Sequence, residues 1–220
     1  MIEKNTTVFL KNLKAHNNKQ WLDANRPKYE AAKENFADMV TELITQIGKL
    51  DTGIASLTAK ECTFRLNRDI RFSKDKSPYK TNFGASFSLG GKKAISAGYY
   101  FHLEPGKSFI GGGLWMPSAA ELFKIRQEID YNFADWKKII NNKSFKTNFV
   151  EGLSTAEKLS RVPKGYSEDN PAIEFIKLKS FVTTKPLSDA EILSPELIKQ
   201  LTTACKSMKP IIDFINKAIV

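Results

Sequence analysis

Residues 81–104 read TNFGASFSLGGKKAISAGYYFHLE, and two runs within them decide the fold class. In residues 81–89, Thr81, Phe83, Ala85, Phe87 and Leu89 alternate with Asn82, Gly84, Ser86 and Ser88. In residues 97–104, Ala97, Tyr99, Phe101 and Leu103 alternate with Gly98, Tyr100, His102 and Glu104. A period of two with one apolar face is the pattern of a half-buried β-strand. Glu104-Pro105-Gly106-Lys107 then sets Pro and Gly where a type II turn takes them, so residues 108–116 return as a further strand. Residues 61–67 read as a strand too, with Cys62, Phe64 and Leu66 toward the core and Thr63, Arg65 and Asn67 away from it. Short connections favour antiparallel pairing. The expectation is an antiparallel meander of at least four strands over about residues 61–116.

Outward from this sheet the period changes to that of a helix. Phe36, Val40, Leu43, Ile47 and Leu50 form one amphipathic stripe, with Pro27 suited to a first helical turn. Trp21, Leu22 and Tyr29 read as packing anchors before it. After Pro117, Ser118 and Glu121 make a capping-box pair ahead of Leu122, Ile125 and Ile129. A further helix is expected over residues 132–141 around Trp136, Ile139 and Ile140, then a long connection over residues 152–171. Residues 177–185 add strand character through Leu178, Phe181 and Val182. Ser188 with Glu191, and Ser194 before Pro195, open the last helices. Pro210 is expected to break or kink the final one. The fold class is therefore α+β, as a single domain over residues 1–220.

Composition narrows the class of protein. No apolar run approaches the roughly 20 residues that span a bilayer, and MIEKNTTVFL has no apolar stretch of signal-peptide length; a cytoplasmic address is expected. Cys62 and Cys205 have no framework or zinc-knuckle spacing and read as buried free thiols. The net charge is +10, and residues 61–115 hold +5 of it, against +2 in residues 1–60 and +3 in residues 116–220. A basic excess concentrated in one quarter of the chain favours an anionic partner.

Several catalytic signatures fail. Gly106-Lys107-Ser108 imitates the end of a phosphate-binding P-loop, but Phe101 stands where its first glycine belongs and a strand follows instead of a helix. Gly111-Gly112-Gly113 lacks the spacing of a dinucleotide fingerprint. His16 and His102 are the only histidines, too few for a histidine-rich metal site, and no paired aspartates advertise a magnesium site. The sequence leaves any cofactor unknown.

The segment that remains runs from Arg65 to Lys80. Arg65, Arg68, Arg71, Lys76 and Lys80 lie with Asp69 and Tyr79 between two strand patterns. Guanidinium forks suit carboxylate and phosphate, so Arg65, Arg68, Arg71, Lys76, Tyr79 and Lys80 are candidate anion ligands, with Asp69 as internal counter-ion. The competing expectation is that Asp69 and Asp75 pair with neighbouring cations and staple the loop onto the sheet. This same run, through Arg65, Arg68-Asp69, Arg71-Phe72, Asp75-Lys76 and Tyr79-Lys80, resembles the signature of a sparsely distributed bacterial and fungal family of conserved proteins carrying a domain of unknown function. The resemblance extends to Trp21 with Asn25-Arg26, Gly98–Leu103, Gly113-Leu114-Trp115 and Pro163–Tyr166. It implies a single-domain protein and brings no activity with it.

Strand parity adds one independent inference. Arg65, Asn67, Ser86, Tyr100, His102 and Glu104 share the polar face, with Gly84 and Gly98 leaving room above the backbone. His102 and Glu104, two apart, point the same way and are a candidate acid–base pair; Tyr100 joins the candidate ligand set. The competing expectation is a face that is merely solvated or covered. Three functions stay open: binding of a phosphorylated or carboxylated small molecule, with or without turnover; nucleic-acid binding, with aromatic strands to stack bases; or docking of an acidic protein.

Overall fold

The computed structural model describes residues 1–93 and 95–219. Its helices and strands run α1 (Lys4–Ala15), α2 (Lys19–Ala24), α3 (Arg26–Gly48), α4 (Ala59–Cys62), β1 (Phe83–Ser88), β2 (Gly98–Leu103), β3 (Ser108–Leu114), α5 (Ala119–Tyr131), α6 (Phe133–Ile140), α7 (Lys143–Asn148), α8 (Ile173–Ile176), β4 (Phe181–Leu187), α9 (Asp189–Ile192) and α10 (Leu197–Ile219). The strands form one antiparallel sheet in the order β1-β2-β3-β4. This is the expected α+β class with a four-stranded antiparallel sheet. On β2 the alternation holds, with Tyr99, Phe101 and Leu103 buried between half-covered neighbours; on β1 Phe83, Ala85 and Phe87 are buried as expected, but Gly84 and Ser88 on the polar face are buried as well. Gly106 takes φ +77°, the left-handed conformation that the third position of a type II turn demands.

The fourth strand is not where residues 61–67 placed it. Thr58 accepts from the Glu61 amide while the Glu61 carboxylate takes the Thr58 amide at 2.8 Å, and this capping box winds Ala59–Cys62 into a helical turn. Local hydrogen bonding outcompetes the strand pattern there. Residues 63 and 67 keep only isolated bridges, to Ala85 and Tyr79. Cys62 and Leu66 are buried as expected, but Phe64 is 38% exposed. The edge is instead β4, beginning at Phe181 inside the segment whose strand character Leu178, Phe181 and Val182 had signalled. Leu89 also leaves the core, because the chain turns at Gly90 and Gly91, with φ +85° and +77°.

Two compact units describe the chain. The first comprises Met1–Lys93, Tyr100–Ile110 and Pro186–Thr203. In it α3 buries Ala32, Phe36, Met39, Val40, Leu43, Ile44 and Ile47, the stripe seen in sequence, although Leu50 falls beyond its end. Fully burying each large apolar side chain contributes roughly 1.5–3 kcal/mol. Phe36 meets Phe83 and Phe101 at ring separations of 5.3 and 6.1 Å, and Phe9 meets Phe83 at 6.4 Å and Trp21 at 6.0 Å. Asn35 ties α1 to α3: its carbonyl accepts from the Glu3 amide and the Thr6 hydroxyl at 2.9 and 2.8 Å.

The second unit holds Gly111–Lys185, residues 95–99 and the chain from residue 204. Its centre is the fully buried Trp136, whose ring lies 5.0 Å from Phe214, 5.8 Å from Phe175 and 6.2 Å from Phe181. The Ser118–Glu121 and Ser188–Glu191 capping boxes form as the sequence indicated. Pro210 does not break α10, which runs unbroken from Leu197 to Ile219. Losing one backbone bond there costs about 3 kcal/mol, and the buried Leu201, Ala204, Cys205, Met208, Ile211, Ile212 and Ile215 along the same helix more than offset it.

Candidate functional site

The basic segment begins where the chain leaves α4. The Phe64 amide donates to Gly84 O at 3.0 Å, Lys80 N to Leu66 O at 2.9 Å and Arg68 N to Pro78 O at 2.9 Å. These bonds close residues 66–68 against residues 78–80 as a neck, from which the loop projects. Tyr79 belongs to the neck. It is only 7% exposed, and its backbone is held at both ends by the Asn17 amide, which donates to Tyr79 O at 2.9 Å and accepts from Tyr79 N at 3.1 Å.

Within the loop the charges are largely spent on one another. Arg68 pairs with Asp75 and also donates to Ser77 O and Ser73 Oγ, each at 3.3 Å. Asp75 accepts from the Ser77 amide and hydroxyl at 2.9 and 2.6 Å. The Ser77 donors, then Arg68, pull its carboxyl down to about 2. Arg71 grips Asp69 with two prongs, Nε to Oδ1 at 2.9 Å and a terminal nitrogen to Oδ2 at 2.6 Å, and holds that carboxyl below its usual range. Lys76 donates to Ile70 O at 3.1 Å. Phe72, at the tip, is 96% exposed with the Arg71 guanidinium 5.8 Å from its ring centre.

Arg65 differs from these. It donates no hydrogen bond to another described residue, and it lines a cleft of about 410 Å³ beside the neck. Lys33 from α3, Lys60 from α4 and Lys92 from the short turn Gly91–Lys93 share that lining, and no carboxylate does. The rest is chiefly apolar, with Tyr29, Phe36, Phe64 and Phe83 among it. Lys92 is braced by the Lys60 and Thr63 carbonyls, at 2.6 and 2.5 Å. Lys33 reaches Glu30 at 3.0 Å, an acid outside the lining.

A second group lies on the polar face of the sheet. The Tyr100 hydroxyl is 3.2 Å from His102 Nδ1, and His102 Nε2 is 3.3 Å from Glu104 Oε2. A carboxylate only accepts, which assigns the proton to Nε2 and the single Nδ1 lone pair to the phenol, with the Asn82 amide 3.4 Å away. Phe109 from β3 stacks on the imidazole at 4.8 Å and 12°. Thr81 donates to Glu104 Oε1 at 3.2 Å, and Lys14 approaches the same oxygen at 3.9 Å. Burial pushes the Tyr100 phenol above its usual range.

The residues picked out from sequence thus separate. Arg65, Lys80 and Tyr100 are neighbours around Phe64: Lys80 Nζ lies 5.4 Å from the Phe64 ring centre, and Tyr100 meets that ring edge-on at 6.2 Å. Burial, then the charge of Arg65, pushes the Lys80 ammonium down. Arg68, Asp69, Arg71 and Lys76 remain in the loop with their own partners, and Tyr79 lies in the neck. His102 and Glu104 are paired as parity indicated. Lys33, Lys60 and Lys92 carried no sequence signal, since nothing in their spacing brings them together.

The chain belongs to the family described as conserved hypothetical protein (DUF2461), whose model matches residues 5–214. No curated protein and no solved structure matches it. No described helix is long and apolar enough to cross a membrane.

Proposed function

We propose that this chain binds a small anionic molecule, phosphorylated or carboxylated, in the cleft beside the basic segment, with Arg65 as its principal ligand. One observation carries the reading: four cations, Lys33, Lys60, Arg65 and Lys92, line a single cleft that has no carboxylate, over an apolar wall. Lys33 is paired with Glu30 outside the lining, but like charges gathered around one cleft still repel one another, and an anion in their midst relieves that cost. The apolar wall of Phe36, Phe64 and Phe83 suits a ligand with an aromatic or aliphatic body. Arg68 and Arg71 then shape the loop, and Lys80 adds positive field near Phe64. A cytoplasmic address goes with this reading, supported by the two cysteines being free thiols.

Nucleic-acid binding is the second reading. Phe64, Tyr100 and Phe109 form an aromatic cluster on one face, at ring separations of 6.2 and 5.7 Å, with Lys80 beside it. Such a surface suits stacked bases. The two readings part on salt: affinity for a labelled single-stranded oligonucleotide should fall steeply with ionic strength, while a closed small-ligand contact should not. Thermal shift with phenyl phosphate and with benzoate tests the first reading directly. Stabilisation in the wild type that is lost in Arg65→Ala supports it; no stabilisation by either anion removes it.

A further inference from the structure

The Tyr100–His102–Glu104 chain borders Phe64 of the cleft but uses none of its four cations. Every donor in the chain points toward the carboxylate: phenol O–H to Nδ1, then Nε2–H to Glu104. Its orientation is fixed from three sides. Phe109 stacks on the imidazole, the Asn82 amide reaches Nδ1, and Thr81 holds Glu104. Gly84 provides the space the phenol oxygen occupies, because a β-carbon there would stand 2.5 Å from it. The group is neither sealed nor fully solvated, since the His102 and Glu104 side chains are each 16% exposed. A hydroxyl bonded to a largely buried base that a carboxylate orients has the parts of an activated nucleophile.

We propose that these residues form a nucleophilic site in which the Tyr100 oxygen attacks a small electrophile with a flat body, an activated acyl or sulfonyl compound, and keeps the transferred group as an ester. The Phe64 ring beside the phenol, inclined to it at 62°, favours a flat substrate body. In that step a bond forms from Tyr100 Oη to the substrate's electrophilic atom, and the bond to the leaving group breaks with its electron pair. The phenol proton passes to His102 Nδ1, and Glu104 holds the resulting imidazolium through Nε2–H. The leaving group departs carrying that proton. The phenol keeps its proton at neutral pH, so the neighbouring base is what allows the attack.

The probe is p-toluenesulfonyl fluoride, which would form a Tyr100 sulfonate ester and release fluoride and a proton. The intact wild-type chain is labelled at neutral pH and the modified tyrosines are mapped by mass spectrometry. Tyr131, 73% exposed, serves as internal reference. Base assistance is worth roughly 100-fold or more at a developed site, so Tyr100 is expected to label at least about tenfold faster than Tyr131. His102→Gln should remove that advantage, and Glu104→Gln should reduce it. Tyr100 labelling no faster than Tyr131 in the wild type overturns the proposal, and that measurement needs no variant. An unchanged advantage in His102→Gln overturns it equally.

Discussion

The Tyr100 phenol oxygen sits over Gly84, so close that a β-carbon at residue 84 would lie 2.5 Å away. The atom it would meet is the far end of a side chain, which can move without disturbing the backbone. Gly84→Ala should therefore fold, at a cost of about 1 kcal/mol, while displacing the phenol from His102. Nitrogen chemical shifts of the His102 ring are the measurement. An unchanged Nδ1 signal would show that the phenol contact is not made in solution.

Gly113 makes the opposite case. A β-carbon there would stand 1.9 Å from the Phe181 carbonyl oxygen, and φ is +116°. Here the obstacle is backbone and the conformation itself disfavours a side chain. Gly113→Ala should lose about 3 kcal/mol or more by urea denaturation. A loss below about 1 kcal/mol would contradict the β3–β4 packing.

Arg65 and Arg68 should respond to truncation differently. Arg68→Ala removes bonds to Asp75, Ser77 and Ser73 and should lower stability by about 1 kcal/mol, the range for partly exposed charged hydrogen bonds. Arg65→Ala breaks no hydrogen bond to a described residue, so its melting temperature should stay near wild type while anion-induced stabilisation vanishes. Loss of that stabilisation in Arg68→Ala and not in Arg65→Ala would move the site from the cleft to the loop.

Asp75 sets a pH dependence with a definite sign. Its carboxyl is held at about 2 instead of the ordinary 3.8, so the order it lends the loop is present above 3.8 and lost as pH falls through 2. At about pH 3 an ordinary aspartate is mostly protonated, and Asp75 should remain mostly ionised. Its carboxyl-carbon shift reads this directly. A midpoint at the ordinary value would mean that the Ser77 and Arg68 contacts are not kept in solution.

Both thiols should be silent in the folded protein. Cys62 and Cys205 are fully buried, and burial pushes the first to about 11 and the second higher still. Neither should react with a disulfide reagent at about pH 8, where a free cysteine is substantially thiolate, and both should react after denaturation. Fast reaction of Cys62 in the native state would refute the packing below α4.

Local physics is readable in the sequence. The period-two runs became β1 and β2, Gly106 turned as its position required, and the capping boxes at Ser118 and Ser188 started α5 and α9. His102 and Glu104 could be paired from parity alone, because residues two apart on a strand share a face wherever the strand lies. Residues 61–67 misled because Cys62, Phe64 and Leu66 alternate, yet the Thr58–Glu61 cap takes Cys62 into a helical turn and leaves Phe64 at the surface. Pro210 misled for the converse reason: a local penalty was outweighed by burial along all of α10.

The sequence by itself determined the α+β class, the strand faces, most helix starts and the concentration of charge in the middle of the chain. These follow from spacings of two to four residues, over which backbone geometry alone sets direction. Only the tertiary structure decided that Arg68 and Arg71 are taken by Asp75 and Asp69 while Arg65 is left to the cleft. It also brought Lys92 to the carbonyls of Lys60 and Thr63, 32 and 29 residues away in the chain. Charge partners are chosen by through-space distance, and that distance exists only once helix and sheet have packed.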